Sequence, residues 1–316
     1  MKQLTFAGAS FTAKKRQTRR EKFLFEMEQV VPWAALLELI RPHYPQSGRR
    51  GRQPMPLEAM LRIYFLQQWY ALSDPAMEDA LYEVESMRRF VGLELLDDAL
   101  PDETTILKFR HLLEAHGLTG EMLRVVNDEL ERRGVLFKGG TMVDATLIHA
   151  PSSTKNQDKQ RDPEMRSTRK GNQWYFGMKA HVGVDLGSGL VHTVSVTNAA
   201  VADIQELPEL LREDDTIVLA DKAYAKREYQ QAALAADVVW GVPQKAPRGG
   251  ELTAAQKDRN RRLSAWRAPV EHVFRVLKCQ FGYRKTRYRG LKKNAQQLFT
   301  LFALVNLYQA RKRLMA

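Results

Sequence analysis

The hydrophobic pattern of this chain changes period at Gly139-Gly140, and that change limits what each half can become. Before it, apolar residues recur at the spacing of helices that pack by one face, in PLEAMLRIYFLQQWYAL and again in AMEDALYEVESMRRFVGL. Asp102 and Thr104 offer N-caps to a helix that stops near Gly117, and a further helix runs from Glu121 to Arg133. These signals predict a small all-α domain over residues 57–140, with Thr105, Lys108 and Arg110 as a candidate groove-reading set. After the glycine pair, TMVDATLIHA has the β-branched alternation of a strand, and KAHVGVDLGSGLVHTVSVTNA reads as two strands joined at Gly187-Ser188-Gly189. IQELPELLRE follows as a helix, TIVLADKAY as a strand, KREYQQAALAA as a helix and VVWGVPQK as a strand. Two long helices close the chain, from about Leu263 to Phe281 and from about Asn294 onward. This order predicts an α/β fold with a mixed sheet over residues 141–316.

Charge is distributed unevenly within the net +12. Residues 1–54 carry 11 Lys/Arg against 4 Asp/Glu, and residues 251–316 carry 16 against 3. The stretch between them is acidic or balanced. Two basic ends around a neutral body suit phosphate neutralisation, so double-stranded DNA is the expected partner. Residues 1–56, with Lys14, Lys15, Arg16, Arg19, Arg20, Arg49, Arg50 and Arg52, read as a basic N-terminal arm and linker. The single Cys279 excludes a disulfide framework and suits a reducing cytosol. The longest apolar run, residues 298–308, is far shorter than the roughly 20 residues a membrane span needs, and no secretory signal is evident, so a cytoplasmic location is expected.

Three acidic residues stand where apolar neighbours would bury them. Asp144 lies inside TMVDATLI, Asp221 ends TIVLAD, and Glu271 sits on a helix whose stripe of Trp266, Val270, Phe274, Leu277 and Phe281 faces a core. Arg267, Glu271 and Lys278 form a charged stripe beside it. Each residue has an ordinary alternative: Asp caps turns, and Arg267 with Glu271 makes a surface pair. Carboxylates converging on one point instead hold magnesium, and two such ions drive phosphodiester chemistry. A first strand, a later strand and a C-terminal helix each supplying one carboxylate is a ribonuclease-H-like arrangement. The cluster Arg284, Lys285, Arg287, Arg289, Lys292 and Lys293, which contains no acid, suits DNA-backbone contact. Lys179 and His181 read as a surface lysine and a structural histidine, Trp174 and Tyr175 as packing residues, and Asp185 and Asp203 as turn or cap residues.

The blocks VDATLIHAPSS, FGMKAHVGVD, LADKAY and RAPVEHVFRVLK resemble, in order, those of the insertion-sequence DDE transposases of the insertion-sequence five group. The last block carries that group's pattern of Tyr, two residues, Arg, three, Glu, six, then Lys or Arg, mapped onto Arg267, Glu271 and Lys278; Ser264 stands where the pattern has tyrosine. The resemblance implies a ribonuclease-H-like sheet flanked by helices, with Asp144, Asp221 and Glu271 as catalytic metal ligands for two Mg²⁺, Mn²⁺ substituting. It implies cleavage at the ends of a mobile element, joining of the 3′ ends to target DNA, and a homodimer or higher oligomer on bacterial, nucleoid-associated DNA. The residues alone leave two other readings open, a silent DNA-binding regulator and a nuclease that only hydrolyses.

Overall fold

A computed structural model describes residues 15–48, 53–157 and 159–316. Lys14, Arg49, Arg50 and Arg52 lie outside the described residues. Among its described residues, the stretch expected to be a basic arm carries the helices α1 (Arg19–Val30) and α2 (Trp33–Ile40). A capping box starts α1: Glu21 N–H donates to Thr18 Oγ1 at 3.2 Å, and Thr18 N–H donates to Glu21 Oε2 at 2.7 Å. Leu24, Met27, Val30, Leu36 and Ile40 are buried, whereas Arg19, Arg20 and Lys22 are exposed. The basic residues are therefore the wet face of an amphipathic helix, and their density hid its apolar stripe.

Helices α3 (Leu57–Tyr70), α4 (Asp74–Glu83), α5 (Glu85–Val91), α6 (Glu103–Ala115) and α7 (Leu118–Arg132) follow the periodicity. α3 is buried on every side from Ala59 to Trp69, which makes it the axis of the helical region. Arg110 is buried on α6 and paired with Asp74 at 3.3 Å and Glu114 at 2.9 Å, so its charge is spent inside the fold.

Among the described residues the sheet is mixed and has six strands: β1 (Thr141–His149), β2 (Arg166–Lys170), β3 (Gln173–Asp185), β4 (Val191–Asn198), β5 (Ile217–Leu219) and β6 (Val239–Gly241). Their order is β2-β3-β1-β5-β6, with β4 also paired to β3. β3 is antiparallel to β1, β2 and β4, and β1, β5 and β6 are mutually parallel. The sequence reading missed β2 because RSTRK is an exposed edge with no apolar alternation to betray it. Pro208 sits in what was expected to be one helix; a short 3₁₀ turn (Asp203–Glu206) leads into the single-turn α8 (Leu207–Leu210). α9 (Arg227–Ala235) forms as expected.

The C-terminal helix expected over Leu263–Phe281 is broken. α10 (Ala254–Arg267) begins earlier, at a capping box of Thr253 and Gln256, and α11 (Pro269–Arg275) continues through a π-helical turn (Val276–Gln280). Pro269, which has no N–H to donate, sits at the interruption. Trp266, expected in the buried stripe, ends 61% exposed before that break.

α12 (Leu291–Leu314) joins the helical region to the sheet, and it does so through buried polar bonds. Gln297 donates to Gln68 Oε1 at 3.0 Å, and Thr300 meets the Tyr64 hydroxyl at 3.1 Å. Asn306 accepts from Val191 N–H at 2.8 Å and donates to Val191 O at 2.6 Å and Asn127 Oδ1 at 2.8 Å. One apolar core consequently runs from α1 through α12 to β4. Among the described residues no helix is long and apolar enough to cross a membrane.

His192 is a second buried polar anchor. Thr141 Oγ1 donates to Asp215 at 2.7 Å, so His192 Nε2, 2.9 Å away, donates to Thr141 while Nδ1 accepts from Thr193 at 2.8 Å. Gly183 makes room for the ring: a Cβ there would meet His192 Cε1 at 2.6 Å. Burial, reinforced by the Arg212 charge, pushes the imidazole down to about 3. The unfolded chain takes up a proton at the ordinary value and the folded chain does not, so stability present above about pH 6.5 is lost as pH falls below it. Urea unfolding should show a loss of about 1.4 kcal/mol per pH unit from this group below about pH 6.5. His192→Gln, which cannot titrate, should show a shallower fall; an equal slope in both proteins would clear His192 of the effect.

Candidate active site

Register brings two of the expected acids together. Met142 pairs with Leu219 in the parallel β1–β5 ladder, and Asp144 and Asp221 each lie two residues further along. Asp221 therefore follows the carboxyl end of β5 beside Asp144, which lies within β1 just past the end of their parallel pairing. They line one cleft of about 380 Å³, with Leu147, His149, Lys170, Lys179, Asp203 and Lys278 among its other walls. Asp221 is exposed and caps the 3₁₀ turn Lys222–Tyr224 by accepting from Lys222 N–H.

Asp144 is half-buried. Its Oδ1 accepts from Ala145 N–H at 2.9 Å, and its Oδ2 is 2.7 Å from Arg267 Nη1. Burial raises its carboxyl above the ordinary range and neighbouring Asp221 adds to this, while Arg267 and the Ala145 N–H pull the other way. Magnesium is typically taken by one or two protein carboxylates together with substrate phosphates, and Asp144 with Asp221 fits that donor set.

Glu271 is not in the cleft wall; its side chain is exposed on α11. Among the described residues no group of three or more acidic, histidine or cysteine side chains is gathered to hold a metal. The stripe that carries Glu271 is nonetheless held against β1 at both ends. Arg267 bonds Asp144, and Lys278 Nζ donates to the Leu147 carbonyl at 2.9 Å. Arg267 thus touches the carboxylate of the first strand and makes no bond to Glu271. Burial, then the Lys170 and Arg284 charges, push the Lys278 ammonium down.

The basic cluster after the π turn divides. Arg284, Lys285, Arg289, Lys292 and Lys293 are exposed, with Arg284 Nε donating to the Lys278 carbonyl at 3.0 Å. Arg287 is half-buried and donates to the Leu72 carbonyl at 2.8 Å, which ties the cluster to the helical region. His149 and Lys285 form an isolated parallel bridge, so the cluster leaves the cleft rim directly.

Sequence reasoning gave too little weight to three residues. Lys179, expected at the surface, is a cleft-wall residue 2.8 Å from Asp203 Oδ1, and Asp203, expected as a cap, lines the same cleft. Lys170, on the unforeseen β2, adds positive charge to the rim. The signal for Lys179 and Lys170 was the KAH and RSTRK blocks, whose roles depend on strand pairing. His181 is fully buried with Nε2 2.8 Å from Thr197 Oγ1, as a structural histidine should be, whereas Trp174 is 67% exposed and does not pack.

The family model described as Transposase DDE domain matches residues 136–307, which contain the whole sheet, Asp144, Asp221 and Glu271. A second, Transposase domain (DUF772), matches residues 11–112, in the helical region. No solved structure matches the chain. The DDE match spans more than half of the sequence and its partner belongs to the same activity, so the chain belongs to the DDE transposases and is an enzyme of DNA transposition and recombination that acts on DNA.

Proposed function

We propose that this transposase belongs to the insertion-sequence five group, cleaves at the ends of its own element and joins the 3′ ends to target DNA by two-metal phosphoryl transfer. The observation that carries the reading is that Asp144 and Asp221 each lie two residues past the Met142–Leu219 pair of the parallel β1–β5 ladder and line one cleft. The sheet order and its strand directions support a ribonuclease-H-like core. Asp144, Asp221 and Glu271 act as the ligands, with Glu271 on the stripe that Arg267 and Lys278 clamp to β1. Bound there, two Mg²⁺ or Mn²⁺ ions supply activation of the attacking hydroxyl and stabilisation of the leaving oxygen.

The protein's own groups do the rest. Asp144 and Asp221 fix where charge is tolerated, Arg267 holds the Asp144 carboxylate in its orientation, and Lys278 and Lys170 give the rim the positive charge a phosphodiester needs. The exposed Arg284, Lys285, Arg289, Lys292 and Lys293 continue that charge along the DNA backbone. Residues 141–316 are the catalytic domain in this reading. Residues 57–140 recognise ends or dimerise, residues 1–56 precede them as a basic segment, and two ends are handled by a homodimer or higher oligomer at the nucleoid.

Incubation with DNA bearing the element's ends and a target plasmid tests it. Mg²⁺ or Mn²⁺ should yield cleaved ends and joined product, chelator should remove both, and Ca²⁺ should support binding without turnover. Cleavage without joining would make the protein a hydrolytic nuclease; binding without cleavage in Mg²⁺ would make it a regulator.

A further inference from the structure

Tyr224 ends the 3₁₀ turn that Asp221 caps, and it is 1% exposed. Its ring packs with Val143 and Ala220, the residues immediately before Asp144 and Asp221, and with Leu207. Phenylalanine would fill such a site without cost. The tyrosine hydroxyl is instead buried with no hydrogen-bond partner among the described residues, an arrangement that destabilises a fold unless a partner arrives. Burial, then the fields of Asp203, Asp144 and Asp221, push the phenol far up, so the hydroxyl stays protonated and can donate.

An acceptor stands on the adjoining turn. The 3₁₀ turn Asp203–Glu206 packs against Lys222–Tyr224, and Asp203 lines the cleft beside Asp144 and Asp221. Its Oδ1 is 2.8 Å from Lys179 Nζ, which also donates to the Val201 carbonyl at 2.7 Å. His181 Nδ1, buried and without a hydrogen-bond partner among the described residues, lies 3.9 Å from the same Oδ1. Tyr224 Oη, His181 Nδ1 and Asp203 Oδ1 are thus three buried polar atoms without a hydrogen-bond partner among the described residues, and the turns that carry Tyr224 and Asp203 pack together.

We propose that Asp203 is a further carboxylate of the cation cleft and that Tyr224 is the positioning residue that orients it, donating its hydroxyl to Asp203 when a divalent cation is bound. The inference rests on the reading of Asp144 and Asp221 as cation ligands. Partners of this kind, one step behind the ligands, fix ligand orientation and govern metal affinity. Removing the Tyr224 hydroxyl should then have opposite effects on the two states, since the free protein gains from losing an unpartnered group and the loaded protein loses an orienting bond.

The test uses the full chain without DNA, with Mn²⁺ binding followed by electron paramagnetic resonance and melting followed by circular dichroism. Tyr224→Phe should melt no lower than the parent and bind Mn²⁺ about 10-fold more weakly or worse. Asp203→Asn should weaken binding in the same direction, and the double variant should lose little more than Asp203→Asn alone, because the hydroxyl acts through the carboxylate. Unchanged Mn²⁺ affinity in Tyr224→Phe overturns the inference, as does a loss of affinity that comes with a matching loss of melting temperature. Asp221→Asn keeps the two readings separate: if it too leaves Mn²⁺ affinity untouched, the cleft is not the cation site and both readings fall.

Discussion

Asp144→Asn and Asp221→Asn should each lose end cleavage by well over the roughly 100-fold that an outer-shell change costs, while retaining DNA in a binding assay. Asparagine keeps the shape of each side chain and removes the charge a divalent ion needs, so the loss falls on chemistry and spares phosphate contacts. Asp144→Ala is a poorer probe. It would strip Arg267, whose side chain is 19% exposed, of its 2.7 Å partner and leave a partly buried cation unpaired, which adds a stability loss to the catalytic one. Glu271→Gln gives the cleanest result of the set because Glu271 is exposed and bonds nothing the fold relies on. Its melting temperature should match the parent's and its cleavage should vanish; full cleavage would remove Glu271 from the triad and shift attention to Asp203 as the third carboxylate.

A triple replacement of Lys285, Lys292 and Lys293 by glutamine should weaken binding to every DNA sequence alike and flatten its salt dependence. Each lost duplex contact removes about 0.9 from the log–log slope, so the three together remove up to about 2.7. These lysines are chosen because all are exposed and none is an internal tie, unlike Arg287, which holds the Leu72 carbonyl. Arg287→Gln should cost stability in urea where the lysine variants do not. Specificity for the element's ends should be unaffected, since phosphate contacts position a protein without reading sequence. An unchanged slope in the triple variant would return the lysines to ordinary solvated surface and leave the remaining basic residues, those of α1 included, to carry the DNA.

Element order and type can be read from the amino-acid order wherever a periodic apolar face had to be buried. α3, α6, α7, β1, β3 and β4 were legible because helical and alternating spacings differ and each run was long enough to show which it was. The positions of Asp144 and Asp221 were legible too, as charges set among apolar residues, one inside a strand and one at the end of another. Elements without that contrast stayed hidden. β2 is polar on both faces, α1 buries a stripe that follows a basic first turn, and Pro269 interrupts a helix whose hydrophobic spacing continues across it.

Tertiary structure alone decided which groups meet. The β1–β5 register joins Asp144 to Asp221 across 76 residues of intervening chain. The break after Arg267 sends that guanidinium to Asp144 and leaves Glu271 exposed beside it. The packing of two 3₁₀ turns brings the element of Tyr224 against the element of Asp203, a contact with no local signature. Periodicity reports only whether a residue faces a core, because burial is a property of one element's surface. Partner choice depends on strand register and on where helices end, and those follow from the fit of the whole core.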